Sequence, residues 1–112
     1  MPAVNTPCIL TVVHGRLEFT WDSAKARKNL RTHGVSFDEA ETVFYDDRAR
    51  LADDPEHSES EDRFILLGLS RALRVLVVVH AHRESEAVIR IISARRATPH
   101  ERAAYDEQGS RS

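Results

Sequence analysis

With one cysteine, Cys8, this 112-residue chain can form no internal disulfide, so its fold must rest on a hydrophobic core and suits a reducing compartment. Long apolar stretches are missing too. The longest, Val75–Val79, is far too short to cross a bilayer, and Met1–Gly15 lacks the charged start and apolar centre of a signal peptide. A cytoplasmic protein without a membrane partner is expected. The four glycines build no dinucleotide or phosphate loop, and the sequence contains no HExxH, paired CxxC, Walker or nucleophile-elbow motif. His80 and His82 can share one strand face, but no third ligand stands at a convincing spacing, so neither a metal nor a cofactor is expected. Lysine is scarce as well: Lys25 and Lys28 are the only lysines among 16 basic residues, the rest being arginine. That preference suits bidentate binding of phosphate or carboxylate, and GC-rich coding would produce it equally well.

The length fits one domain, and 41% hydrophobic residues suffice for a modest core. The net charge of −2 hides a strong asymmetry. Ser36–Asp62 carries 11 acidic side chains against Arg48 and Arg50, a local charge of −9, which leaves +7 for the remainder. One region can steer a polyanion, and the other can receive a basic partner. The clearest cationic element is Val88–Arg102, VIRIISARRATPHER, where a strand pattern carries Arg90 in its middle and ends in Arg95 and Arg96.

Along the chain, Leu17–Trp21 reads as a short strand. Asp22 then caps a helix from Ser23 to the left-handed terminator Gly34. Its inner stripe is expected at Ala26, Leu30 and His33, with Arg27, Lys28 and Arg31 outward. A capping box, Ser36 with Glu39, opens a second helix whose apolar face is Phe37, Ala40, Val43 and Phe44. Ala49–Asp53 is a weak strand and Asp54–Asp62 a polar loop. Arg63–Leu69, Arg74–Arg83 and Ala87–Ala97 follow as strands with links short enough for antiparallel hairpins. Thr98-Pro99 opens a final helix, and Gln108–Ser112 is a tail.

If Glu84–Glu86 is the last hairpin loop, residue 80 pairs with 90 and 79 with 91. One face then carries Val75, Val77, Val79, Ala81, Ala87, Ile89 and Ile91 as core; the other carries His80, His82, Arg90 and Arg96, with Arg95 of opposite parity. His80 beside Arg90 would be held toward its neutral form and could accept a proton, while Arg90 stabilises phosphate. The alternative is a structural histidine and an arginine paired to a carboxylate. Arg63 falls on either face according to the preceding loop. In HSESEDR, His57 and Glu59 read as solvated loop residues, whereas Glu61 and Arg63 lie close to the sheet. His33 suits the helix C-terminus as a charge.

In their order, FTWDSAKARKNLRTHGVSFDEAETVF (Phe19–Phe44), DPEHSESEDRFILLG (Asp54–Gly68), RVLVVVH (Arg74–His80) and IRIISARRATPHERAAY (Ile89–Tyr105) resemble the BrnT toxins. The resemblance covers residues 17–107 as one toxin domain, preceded by residues 1–16 as an arm or extra strand and followed by the tail 108–112. It implies an α+β, RelE-like fold, with two N-terminal helices packed on an antiparallel sheet plus a C-terminal helix. It also implies the toxin of a type II toxin–antitoxin module: a ribonuclease that inhibits translation and is neutralised by a BrnA-like ribbon-helix-helix antitoxin. DNA would be contacted only through that antitoxin, as a toxin homodimer or a heterotetramer. The expected chemistry is metal-independent endoribonucleolytic cleavage. His80, Arg90, Arg63, Glu61 and Arg95 are the catalytic candidates, and Lys25, Lys28, Arg31 and Arg96 the RNA-binding ones. A noncatalytic module that binds protein or nucleic acid would use the same arginines without a proton carrier.

Overall fold

The structure is a computed structural model that describes residues 9–14, 17–54, 63–83 and 85–109. β1 (Ile9–His14) pairs antiparallel with β2 (Leu17–Asp22), so the apolar run before residue 16 forms an edge strand. Asp22 ends β2 and caps α1 (Ser23–His33): its Oδ1 accepts from the Ala24 and Lys25 N–H groups at 2.8 and 3.2 Å. Gly34 stops α1 at φ 70°, in the left-handed region where glycine pays no Cβ penalty, and its N–H donates to Leu30 O at 2.9 Å. α2 (Phe37–Thr42) is capped by Ser36, whose Oγ accepts from Glu39 N at 3.0 Å, and is prolonged by a 3-10 turn over Val43–Tyr45. Only that half of the expected capping box forms. The Glu39 carboxylate turns instead to Ser70 Oγ, at 2.6 Å, and to the Arg74 guanidinium, which holds its pKa below the usual carboxylate range.

Four more strands follow: β3 (Arg50–Asp53), β4 (Phe64–Leu69), β5 (Val75–Arg83) and β6 (Ser85–Arg96), and then α3 (Pro99–Gly109). The sheet has six strands in the order β1-β2-β6-β5-β4-β3. It is mixed rather than antiparallel throughout, because β2 and β6 run parallel from Glu18↔Val88 to Thr20↔Arg90. Short hairpins join β4, β5 and β6 as expected, whereas the link from β2 to β6 spans most of the chain and carries no antiparallel constraint.

α1, α2 and the 3-10 turn cover one face. Beneath them lie Phe19 and Trp21 of β2, Leu66 of β4, Leu76 and Val78 of β5, and Ile89, Ile91 and Ala94 of β6, packed against Val35, Phe37, Ala40 and Val43. Trp21 meets Phe37 edge-on at 5.9 Å and Phe19 meets Phe44 at 5.2 Å. Gly68 lets β4 pass close under this layer: a Cβ there would stand 2.8 Å from Val43 Cγ1 and 2.9 Å from the Ala49 Cβ.

The expected core face is correct for Ile89 and Ile91 and inverted for β5. The β5–β6 pairing is Ala81↔Arg90, His80↔Ile91 and His82↔Ile89, one residue away from the expected register, and it shifts again before Val79↔Ser93. A slip of one residue exchanges the two faces of a strand. The α1 stripe also differs. Ala26 packs against the core, but Leu30 is 51% exposed and His33 is exposed, while Asn29 is buried. The Asn29 carboxamide donates to Val35 O at 2.9 Å and Ala94 O at 2.7 Å, and accepts from Ala94 N at 3.1 Å.

Truncating Asn29 strands three buried backbone groups. Asn29→Ala should therefore cost on the order of 3 kcal/mol, which lowers the midpoint of a thermal melt followed by circular dichroism by about 12 °C or more. A loss below about 2 °C would show that water or backbone relaxation replaces the amide.

Candidate nucleic-acid interface

The other face of the sheet lies away from α1 and α2, and α3 packs at one end of it through Glu101. By register it presents three rows. Arg50, Leu67, Val77 and Arg95 stand side by side across four strands; Ala52, Ile65, Val79 and Ser93 form the next row. In the third, Ala81, Arg90 and Thr20 are neighbours on β5, β6 and β2. Arg63, one residue before β4, continues the parity of Ile65 and Leu67 toward that third row, and Asp54 does the same beyond β3. The Asp54 N–H donates to Arg63 O at 2.9 Å, which keeps the two segments paired past the strand ends.

This face thus gathers three of the predicted catalytic arginines, Arg63, Arg90 and Arg95. Arg90 and Arg95 have opposite parity in sequence and reach the same face only because the β5–β6 register shifts between them. Arg96 was expected on the same face as Arg90; it pairs with Leu76 and belongs to the helix-covered side, exposed at the sheet end near Arg74 and Arg102. Arg95 is half-buried, and its guanidinium makes two parallel hydrogen bonds to Glu101, both 2.9 Å, and a third to Arg96 O at 3.2 Å. Those bonds to Arg95, with the Thr98 N–H at 2.8 Å, bring the Glu101 pKa down to about 2. α3 is anchored at a second point, where Tyr105 O–H donates to Asp46 at 2.6 Å. Burial and that bond push the Tyr105 pKa to about 12.

His80 is not beside Arg90. It is 1% exposed on the helix-covered side, opposite Phe64, with its ring 4.8 Å from the Phe44 ring and 5.5 Å from that of His82. Burial, reinforced by the His82 charge and only partly offset by a 3.4 Å contact to Val78 O, lowers its pKa to about 4. The imidazole therefore acts as a neutral aromatic core group. Lys25, Lys28 and Arg31 are exposed on α1, which packs on that same covered side, so they form a cationic surface separate from the arginine rows. Glu61, His57 and Glu59 lie outside the described residues.

Sequence reasoning missed Asp54, which is buried rather than part of a solvated loop, along with Thr20 beside Arg90 and the Glu101 clamp on Arg95. The clamp had a legible signal. Thr98 and Glu101 form the reciprocal capping box of α3, with Glu101 N donating to Thr98 Oγ1 at 3.2 Å, and T-x-x-E is its signature. The acidic stretch is likewise no single solvated patch, since Glu39 and Asp46 are bound to Arg74, Leu69 and Tyr105.

Residues 21–101 match the family model described as ribonuclease toxin, BrnT, of type II toxin-antitoxin system. Among solved structures, the crystal structure of the Brucella abortus ribonuclease toxin BrnT superimposes with a TM-score of 0.51 at 22% identity, covering 70% of this chain and 92% of that one. At that identity the likeness is one of fold. A search of curated proteins gives no match.

Neutral burial of His80 has a consequence for stability. The folded protein leaves it unprotonated down to about pH 4, whereas the unfolded chain protonates it near the ordinary value of 6.5. Between those values acid favours the unfolded state, by up to about 3 kcal/mol at the lower limit. Denaturant titrations from pH 7 to 4 should show this loss in the wild type and its disappearance in His80→Leu. Equal pH slopes in the two proteins would mean that His80 titrates normally.

Proposed function

Because the chain belongs to the BrnT family, the ribonuclease toxins of type II toxin–antitoxin systems, we propose that it cuts RNA on the sheet face opposite α1 and α2 and thereby halts translation. The observation that carries this reading is the convergence of Arg63, Arg90 and Arg95 on one half-buried face, with the rows of Arg90 and Arg95 separated by aliphatic side chains. Fixed cations over a poorly polarisable floor concentrate positive potential where a phosphodiester can lie. In the cleavage step a ribose 2'-hydroxyl attacks the adjacent phosphorus and loses its proton to a carboxylate. The bond to the 5'-oxygen breaks and that oxygen takes up the proton from the carboxylic acid so formed, leaving a 2',3'-cyclic phosphate and a 5'-hydroxyl. Arg90, assisted by Arg63, stabilises the charge that builds on the phosphoryl oxygens. Asp54 and Glu61, flanking Arg63 in space and in sequence respectively, are the carboxylates assigned to proton transfer. His80, enclosed in the core, takes no part, and Arg95 acts with its fork already held by Glu101. No metal enters this scheme.

The wider assignment follows the same reading. The protein works in the cytoplasm as a RelE-like toxin whose domain spans residues 17–107, with residues 1–16 and 108–112 as additions. A BrnA-like ribbon-helix-helix antitoxin neutralises it in a heterotetramer and alone contacts DNA. Lys25, Lys28, Arg31 and Arg96 extend the cationic surface to RNA outside the cut site.

Purified protein should cleave RNA, with or without ribosomes, in the presence of EDTA. Arg90→Ala should lower kcat/KM by about 100-fold, while His80→Leu stays within a few-fold of wild type. RNA left intact by wild type would return the arginine face to a protein-binding role; cleavage abolished by EDTA would overturn metal independence.

A further inference from the structure

We propose that the cleft of about 220 Å³ at the Arg95 end of the face opposite α1 and α2 holds one unstacked nucleobase of the RNA and thereby selects the nucleotide beside the cut. The inference rests on the ribonuclease reading and adds a specificity site to it. Ala52, Ile65, Leu67 and Val77 provide an apolar lining, and Arg95 and Glu101 a charged wall. Arg50 stands at the far end of the same row.

Three features select a base rather than a phosphate. The lining is aliphatic, which suits the flat face of a base and offers a phosphate oxygen no hydrogen-bond donor. Arg95 has three of its five donors engaged, two by Glu101 through parallel bonds of 2.9 Å and one by Arg96 O, which immobilises the guanidinium plane for a ligand to stack on. Such planes are recurrent stacking platforms for splayed RNA bases. The Glu101 carboxylate, finally, can accept one more hydrogen bond. Of about four lone-pair positions on a carboxylate, the two Arg95 donors and the Thr98 N–H occupy three. An N–H on the Watson–Crick edge of a base fits the fourth.

The location suits the chemistry. Val77 and Ala81 are four residues apart on β5, so the cleft row and the Arg90 row lie about 13 Å from one another. That leaves room for the chain to place a phosphate at Arg90 and seat a neighbouring base in the cleft, with Arg50 close enough to meet the backbone beyond.

The test uses the full wild-type chain with labelled methyl groups, titrated with the 3'-monophosphates of adenosine, guanosine, cytidine and uridine and, separately, with inorganic phosphate. Methyl resonances of Ile65, Leu67 and Val77 should move with the nucleotides, unequally among the four bases, and stay still with phosphate. No movement, equal movement with all four, or the same movement with phosphate alone overturns the base site. In parallel, cut-site profiles on an RNA containing every trinucleotide should lose about fivefold or more of their base preference in Arg95→Lys, the size of one stacking contact. Ala52→Glu should weaken the preference in the same direction; Ala52 is exposed on the edge strand and can be replaced without disturbing the core, which keeps the test valid if Arg95→Lys loosens α3. Wild type that fails to cut RNA removes the ribonuclease reading itself. Wild type that cuts, with both folded variants keeping its profile, removes only the base site.

Discussion

β6 is the strand from which both layers take their position, and after Arg90 the Asn29 carboxamide closes its outer edge where no strand does. β2 pairs with it only from Val88 to Arg90 before turning into α1. Farther along, the N–H and C=O of Ala94 are both bound by Asn29, which supplies one donor and one acceptor as a neighbouring strand would. The second amide hydrogen reaches Val35 O beyond the end of α1, so a single side chain ties the strand, the helix and the turn after it. Taking an amide out of water is unfavourable unless its bonds are replaced, and here three are. With Ala94 held facing the core, Arg95 must face the other way.

The rest of the sheet is divided by that constraint. One side buries the aromatic groups Phe19, Trp21 and Phe37 together with a neutral histidine, His80, under the helical layer. The other collects arginines over aliphatic side chains. α3 buries Tyr105 and is tied down by charge-assisted contacts, Glu101 to Arg95 and Tyr105 to Asp46. Much of the acidic stretch that a charge count assigns to a partner is thus already committed inside the fold, including the Glu39 bond to Arg74.

What could be read in advance followed local chemistry. Asp22, Gly34 and Ser36 announce their helix ends because caps depend on one or two neighbouring residues, and they are found in those roles. The hairpins from β4 to β6 follow from short polar links. The face of β5 was not legible, because VLVVV is apolar at both parities: Val75 and Val77 are buried on one side and Leu76 and Val78 on the other. Alternation then carries no information, and the register passes to the turn and the irregularities, which no pattern of side chains reports. Asn29 was hidden for a related reason. A polar residue inside a helix is read as a solvent-facing one unless its bonding partner, here 65 residues away, is known.

The same irregularity that defeated the register makes the arginine face. In an unbroken strand, residues 90 and 95 project to opposite sides, and one of the two charges would be turned into the core. The shift between Ile91 and Ser93 adds one residue to β6 relative to β5 and restores Arg95 to the side of Arg90. Bulges of this kind re-aim side chains at the cost of a local interruption of the ladder. Its effect here is to give one face two arginines in different states: Arg95 with its donor fork filled by Glu101, and Arg90 in a row with Thr20 and Ala81. Two guanidinium groups of the same type can then serve separate tasks, because what each offers a ligand is decided by the neighbour that already occupies it.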